Sequence, residues 1–149
     1  MVELRRASLA DLEAIHKLDD RSFHEAWSEK QWHGMLSNPK RFRCWLQDLD
    51  GRPLGFLLFG VVLDEAELLR IGVDPAHQGE GRATAMLEKG QALLEAEGVA
   101  SFHLEVRESN HVAQHLYQRC GWQQTGRRRN YYNDEEGSED ALLFSRYLD

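Results

Sequence analysis

The segment from residue 66 to residue 107 places the strongest constraint on what this chain can fold into. A strand-like run, AELLRIGVD (66–74), leads through a glycine-rich turn into an apolar helical pattern, and a second strand, SFHLEVR (101–107), follows. A helix between two strands implies a crossover, which places the two strands side by side in parallel. The sequence therefore predicts a sheet that is parallel at this point and carries a helix on one face.

Apolar periodicity predicts further elements on both sides of this unit. They are a strand at 2–7, helices at 8–20 and 28–36, strands at 41–49 and 52–63 joined by the favoured hairpin turn Asp50-Gly51, a helix at 110–121, and strands at 122–132 and 140–148. The acidic run NDEEGSED (133–140) reads as a solvated hairpin tip. The order β-α-α-β-β-β-α-β-α-β-β predicts a mixed α/β sheet within one domain, residues 1–149.

Composition narrows the class of protein. Of the 149 residues, 42% are hydrophobic and 29% are charged, which is typical of a soluble globular domain rather than a disordered chain. The formal charge of −7 argues against nonspecific nucleic-acid binding and favours a basic peptide or an amine as partner. No run is long enough to span a membrane, and two distant cysteines, Cys44 and Cys120, are typical of the reducing cytoplasm.

The turn within DPAHQGEGRATAML (74–87) allows two interpretations. It can be a tight turn that happens to use glycine. It can also be a phosphate cradle, because a helix N-terminus presents unpaired N–H groups and glycine lets a ligand approach the backbone closely. The segment is neither a Walker loop nor a dinucleotide fingerprint. Taken alone, it leaves both interpretations open.

A family resemblance favours the cradle. QGEGRA (78–83) fits Q-x-x-G-x-[G/A], the acyl-coenzyme A pyrophosphate signature of the GNAT superfamily of N-acetyltransferases. The blocks AWSEK, VVLDEAELLRIGVDP, LEVRESN, LYQRCGW and RRNYY are together similar to the ribosomal-protein alanine N-terminal acetyltransferases, the RimI type. His77 stands where that type often has an aromatic residue, Ala83 replaces a commoner glycine, and Thr84 replaces a frequent arginine.

The resemblance implies a fold, a cofactor and a reaction. The fold is GNAT-like, with a central mixed, mostly antiparallel sheet and about four helices. The cofactor is acetyl-CoA, bound by Ile71, Gly72, Val73, Gln78, Gly79, Glu80, Gly81, Arg82, Ala83, Thr84 and Asn110. The reaction is direct acetyl transfer, in a ternary complex, to a protein N-terminus. For the RimI type, this is the N-terminal alanine of the eighteenth protein of the small ribosomal subunit.

The resemblance also implies two catalytic residues, Glu105 as proton acceptor and Tyr117 as proton donor. An α-amino group has a pKa of about 8, so a carboxylate has only a modest deprotonation to perform. Glu105 lies on the strand face opposite Leu104 and Val106, where an ordinary solvated glutamate would also lie. Tyr117 follows Asn110 by seven residues, the spacing of the superfamily, although an aromatic at helical spacing is usually a core residue.

The sequence says less about the residues that bind the acceptor. Trp27, Ser28, Tyr131 and Tyr132 match family blocks and could flank a peptide, or could equally be packing residues. The cluster of Asp64, Glu65 and Glu67 is either a solvated charge run or an attraction for a basic peptide tail. Proteins of this type can also contact other proteins. The histidines show no metal-ligand spacing, so we expect no metal.

The sequence leaves two other functions open. One keeps the fold and the cofactor but uses a lysine side chain, a polyamine or a small-molecule amine as acceptor. Lysine, with a pKa near 10.4, demands more of the base. The other is a non-catalytic acyl-coenzyme A sensor or a partner subunit, against which the retained Glu105, Asn110 and Tyr117 argue.

Overall fold

The computed structural model describes residues 2–23 and 25–148, and within them the elements follow the predicted order. They are β1 (Val2–Arg6), α1 (Leu12–Ser22), α2 (Glu29–Leu36), β2 (Phe42–Leu49), β3 (Arg52–Val62), β4 (Glu65–Val73), α3 (Arg82–Ala96), β5 (Ser101–Arg107), α4 (His111–Arg119), β6 (Gln123–Asp134) and β7 (Gly137–Tyr147). None of the helices in the described ranges is long and apolar enough to cross a bilayer.

All of these strands join one sheet, in the order β1-β2-β3-β4-β5-β7-β6. Only β4 and β5 run parallel among the described strand pairs, and the other five pairs are antiparallel. The predicted mixed, mostly antiparallel sheet is therefore confirmed. So is the Asp50-Gly51 turn, whose two residues both have positive φ (51° and 82°), as a two-residue hairpin of this kind requires.

Helices cover the sheet on both faces and define two cores. Successive side chains of a strand point to opposite faces, so β3 gives Leu57 and Phe59 to one core and Phe56 and Leu58 to the other. The first core also contains Leu87 of α3 and the ring of α4's tyrosine. The second is closed by α1 and α2 through Ile15, Leu18, Trp32 and Leu36.

The sheet opens between β4 and β5. Their parallel pairing is confined to residues 65–67 of β4 and 101–103 of β5, so the C-terminal halves of the two strands diverge. On the other side of β4 the register against β3 shifts, because Leu58 pairs with Arg70 and Phe59 with Leu68, which leaves Leu69 as a bulge. A bulge bends and twists its strand. The bulge and the divergence from β5 together open the sheet along the second half of β4.

Two predicted boundaries were wrong, namely the start of the first helix and the extent of the last hairpin turn. The first helix starts at Leu12, after a 3₁₀ turn in which the Asp11 carboxylate accepts the Ser8 N–H (2.9 Å). On α3, Leu93 is partly exposed while Gln91 is buried, because the Gln91 side-chain oxygen accepts a hydrogen bond from the Trp122 indole. Most of the segment 133–140 is paired strand, in which Asp134, Glu139 and Asp140 lie beside arginines, and only residues 135–136 form the turn.

Candidate active site

A cavity of about 940 Å³ lies where β4 and β5 diverge. It brings together most of the sequence-predicted site residues, namely Ile71, Gly72, Val73, Gln78, Gly79, Gly81, Arg82, Ala83, Thr84, Glu105, Asn110, Tyr117 and Tyr132. The remaining predicted residues do not line it, and these are Glu80, Trp27, Ser28, Glu65 and Tyr131. The cavity runs from the N-termini of α3 and α4 to the sheet face that carries α1 and α2.

One end of the cavity, here called the donor end, is built from backbone between residues 74 and 84. Gly79 and Gly81 both have positive φ (80° and 79°), and a Cβ on either would meet no atom within 4 Å. Open space therefore lies against the backbone where the loop turns into α3. The first backbone hydrogen bond of α3 is donated by the Ala85 N–H to the Gly81 carbonyl (3.1 Å). The N–H groups of Arg82, Ala83 and Thr84 come before this bond and have no carbonyl of the helix to pair with. Unpaired N–H groups at a helix N-terminus fit phosphate oxygens.

Side chains fix the shape of this loop. The Gln78 amide donates to the carbonyl of Val73 (3.0 Å), which ties the loop to the end of β4. The Glu80 carboxylate accepts from Arg82 Nε (2.9 Å) and lies 3.3 Å from His77 Nδ1. These hydrogen bonds lower the pKa of Glu80. Glu80 thus orients the loop from outside the cavity, while Arg82 adds a positive charge to the lining.

Tyr117 lies deep in the cavity wall, with only 7% of its surface exposed. Its ring packs against Trp122 and Phe144, with centroids 5.9 and 6.2 Å away. Burial, and then the proximity of Tyr132, raises the pKa of the Tyr117 phenol well above its usual value. The phenol is therefore protonated at neutral pH. Tyr117 is both a core aromatic and a cavity-lining phenol, so the packing interpretation does not exclude the proton-donor interpretation.

Asn110 positions the start of α4 at the edge of the cavity. Its side-chain oxygen accepts the N–H of Ala113 (3.1 Å), so Asn110 is the N-cap of this helix. Asn110 also lines the same cavity as the donor-end loop. The N-termini of α3 and α4 therefore meet at one cavity.

Glu105 opens on the opposite end of the cavity, here called the acceptor end. Leu104 and Val106 point into the core with α3 and α4, and Glu105 points to the other sheet face, as the alternation predicts. Glu105 is the only acid in the cavity lining that the structure describes. Its Oε1 lies 3.3 Å from Nε of Arg128 on β6.

Two arginines of the acceptor end have their own acidic partners. Arg107 lies 3.1 Å from Glu139 and 3.5 Å from Asp134, and its guanidinium carbon is 4.3 Å from the centre of the Tyr132 ring. Glu139 also accepts the Ser109 N–H (2.6 Å), and these hydrogen bonds lower its pKa. This network fixes Tyr132 against the cavity.

The second arginine, Arg70, belongs to a buried cluster that sequence reasoning missed. Asp19 is fully buried and accepts hydrogen bonds from the Trp27 N–H (2.9 Å), the Trp32 indole (2.8 Å) and Arg70 Nε (2.9 Å). Arg70 also donates to the Glu25 carbonyl (2.9 Å). The cluster ties the α1–α2 connection to β4. The available signal was an aspartate directly after Leu18 on the apolar face of α1.

Trp27 and Ser28 serve this same connection rather than the lining. The Trp27 ring packs on Trp32 with centroids 5.0 Å apart. Ser28 caps α2, since its hydroxyl accepts the Gln31 N–H (3.1 Å) and its own N–H donates to the Gln31 side chain (2.8 Å). Their placement supports the packing interpretation that the sequence left open.

Glu65 lies at the far end of β4 from the cavity. It is the first residue of that strand, and six residues of extended chain place it roughly 20 Å from Ile71. Its side chain is 64% exposed, and its Oε1 lies 3.6 Å from Nε2 of His103. This placement favours the solvated interpretation of the acidic cluster.

Tyr131 lies beside the cavity, within a bulge of β6. Residues 129–131 stand against the single residue 140 of β7, and Asn130 takes a positive φ of 53° there. The Asn130 N–H donates to the Asp140 carboxylate (2.9 Å). The Tyr131 ring packs on Tyr132, with centroids 5.1 Å apart.

Comparisons with known proteins agree with this geometry. The family model for the acetyltransferase (GNAT) family matches residues 10–122. A relative from Escherichia coli, named [ribosomal protein bS18]-alanine N-acetyltransferase, is 38% identical over 135 residues, covering 91% of this chain and 90% of its own length.

Solved structures agree as well. The ribosomal-protein-S18-alanine N-acetyltransferase of Escherichia coli superposes with a TM-score of 0.92 and 35% identity, over all of this chain and 95% of its own. The PaiA N-acetyltransferase of Thermoplasma acidophilum, solved with coenzyme A, shares the fold with a TM-score of 0.81 and 17% identity, over 99% of both chains. From the matched family model and these relatives, the chain belongs to the GNAT family of acetyltransferases.

Proposed function

We propose that this chain is a single-domain, acetyl-CoA-dependent N-terminal protein acetyltransferase that modifies the N-terminal alanine of ribosomal protein bS18. The observation that carries the proposal is the meeting, in one cavity, of a helix N-terminus, a carboxylate and a buried protonated phenol. The Escherichia coli relative, 38% identical over 91% of this chain, supports the choice of acceptor. We propose that this chain acts in the cytoplasm, where the ribosome is.

The donor end would hold acetyl-CoA. The backbone N–H groups at the start of α3 and the guanidinium of Arg82 suit its pyrophosphate. The backbone of Ile71, Gly72 and Val73, which the splay leaves unpaired with β5 along the cavity wall, suits the pantetheine arm and would supply donors for an oxyanion. The thioester, when bound, supplies an activated acetyl carbonyl.

Glu105 would receive a proton from the acceptor. A protein N-terminus with a pKa of about 8 is roughly nine-tenths protonated at pH 7. The Glu105 carboxylate accepts one proton from this ammonium, directly or through a water molecule, and leaves a neutral amine whose lone pair can form the new C–N bond. Tyr132 and Arg107 form the wall beside which the peptide would lie.

Tyr117 would supply a proton on the other side of the reaction. As the C–N bond forms and the C–S bond breaks, the sulfur leaves with the electron pair of that bond. The Tyr117 phenol donates its proton to this sulfur, the nitrogen loses its second proton to solvent as the amide forms, and the phenolate is reprotonated from solvent. A phenol of ordinary pKa, about 10, is already protonated at neutral pH, and burial raises the pKa of Tyr117 further, so the donor is present throughout the neutral range.

The test is acetylation of defined acceptors by the purified protein. We expect transfer of acetyl to an alanine-initiated basic peptide, no transfer to the same peptide with its N-terminus already acetylated, and little transfer to spermidine or free lysine. Transfer to the blocked peptide's lysines or to spermidine alone would favour the side-chain or small-amine alternative. Mass spectrometry of ribosomal proteins from cells with and without this protein then checks bS18 as substrate.

A further inference from the structure

Arg128 lies outside the cavity and contacts Glu105, the only acid in the part of the cavity lining that the structure describes. Its Nε lies 3.3 Å from Oε1 of Glu105, and the two side chains are 55% and 24% exposed. Arg128 itself is not a lining residue. In the absence of an acceptor, the proposed base is therefore already paired with a cation.

Two acids of β7 beside the acceptor end already have partners. Glu139 is engaged by Arg107 and by the Ser109 N–H, and Asp140 is engaged by Arg127 (2.7 Å) and the Asn130 N–H. Glu105 itself is engaged by Arg128. The incoming ammonium must therefore compete with Arg128 for Glu105.

The Glu105–Arg128 pair is suited to exchange. A salt bridge with one half-exposed partner is weak, because water screens the charges. Arg128 stands at the start of the β6 bulge, and its guanidinium carbon is also 5.1 Å from the centre of the Tyr131 ring. A cation released by Glu105 keeps this aromatic contact. Arg128 therefore has a second partner to retain when it leaves the carboxylate.

We propose that Arg128 is an exchangeable counter-ion of Glu105, which pairs with the carboxylate until the N-terminal ammonium of the acceptor replaces it. The inference rests on the proposed function. The ammonium then gives one proton to Glu105, while Arg128 stays protonated and takes no part in bond making. Arg128 is thus a positioning residue that sets acceptor affinity.

The test measures peptide binding by calorimetry in the presence of coenzyme A, together with steady-state kinetics. Arg128→Met removes the cation and keeps an aliphatic stem. The matched control, Arg129→Met, removes the same charge from the neighbouring exposed residue. We expect Arg128→Met to tighten binding of the alanine-initiated peptide, and to lower its KM, by about two- to fivefold with kcat unchanged, as loss of an exposed pair implies.

Three further arms separate competition from a merely structural role. Arg128→Lys retains the cation and should bind the peptide nearly as the wild type does. Arg129→Met should show no gain. The N-acetylated peptide carries no ammonium, so Arg128→Met should leave its affinity unchanged.

Each outcome of these measurements either supports or overturns the inference. Unchanged or weaker binding of the free peptide by Arg128→Met overturns the inference, and so does an equal gain in Arg129→Met or with the acetylated peptide. If the wild type acetylates the peptide, such a failure concerns Arg128 alone. A wild-type protein that acetylates no peptide N-terminus overturns the proposed function and this inference together.

Discussion

The donor end of the cavity is formed mainly by backbone atoms, whereas the acceptor end is formed mainly by side chains. The donor end is one continuous segment in which glycine conformations and helix N–H groups face the cavity. The acceptor end is assembled from side chains of β4, β5 and β6, and each charge there has a partner on another element. A backbone-built end tolerates changes of side chain but not of backbone angle, whereas a side-chain-built end depends on individual charges. Four substitutions test this contrast.

The largest effect is expected at the buried cluster behind the acceptor end. Asp19→Asn leaves Arg70 without its carboxylate and should lower the free energy of unfolding by about 3 kcal/mol, as the loss of one partner of a buried pair does. Urea denaturation measures this change. On the same helix, Glu13→Gln breaks an exposed pair with Lys17 and should leave the denaturation midpoint unchanged. Equal stability of the two variants would contradict the structural role of Asp19.

Tyr117→Phe tests the proton donor between the two ends. The ring and its packing against Trp122 are kept, so we expect normal thermal stability and an unchanged KM for acetyl-CoA. Loss of the hydroxyl should lower kcat about a hundredfold, the effect typical of removing a general acid. Tyr147→Phe, which removes a hydroxyl from an exposed ring, is the control. Full turnover by Tyr117→Phe would remove Tyr117 from the mechanism.

Glu105→Gln tests the base at the acceptor end through its pH dependence. At pH 7 only about a tenth of an amine of pKa 8 is neutral, so we expect kcat/KM for the peptide to fall about tenfold or more. At pH 9 roughly nine-tenths is neutral, and most of the deficit should disappear. A pH profile from 6.5 to about 9.5 measures this. A deficit that is constant across the profile would speak against proton transfer to Glu105.

The smallest effect is expected at the donor end. Gly81→Ala forces a side chain onto a residue with φ of 79°, which costs about 1 kcal/mol and shifts the start of α3. We expect the KM for acetyl-CoA to rise about fivefold, with the KM for the peptide unchanged. Gly98→Ala imposes a similar backbone cost at the other end of the helix, where φ is 104°. It should lower stability without changing either KM.

The donor end and the fold were largely predictable from the sequence. The element order, the Asp50-Gly51 hairpin and the glycine loop depend on contiguous residues, whose spacing and conformational preferences are local properties. The departures at His77, Ala83 and Thr84 leave this loop intact, because its contribution is made by the backbone. The misplaced start of the first helix, where a 3₁₀ turn precedes Leu12, reflects the small energy differences between neighbouring helical turns.

The acceptor end was poorly predictable. Of Trp27, Ser28, Glu65, Tyr131 and Tyr132, only Tyr132 lines the cavity. The others pack on neighbouring rings, cap a helix or lie at a strand end outside this lining. The acids of the presumed solvated tip, Glu139 and Asp140, instead bind arginines of other elements.

The sequence by itself determined the order of elements, the cradle at residues 78–84 and the identity of the residues proposed to carry protons, because periodicity, glycine and a family pattern act along the chain. Only the tertiary structure decided which charged side chains contact each other. The Asp19–Arg70 contact joins residues 51 positions apart, and Glu105 meets Arg128 across β7. Such pairs depend on strand order and register, which set distances that no local pattern encodes.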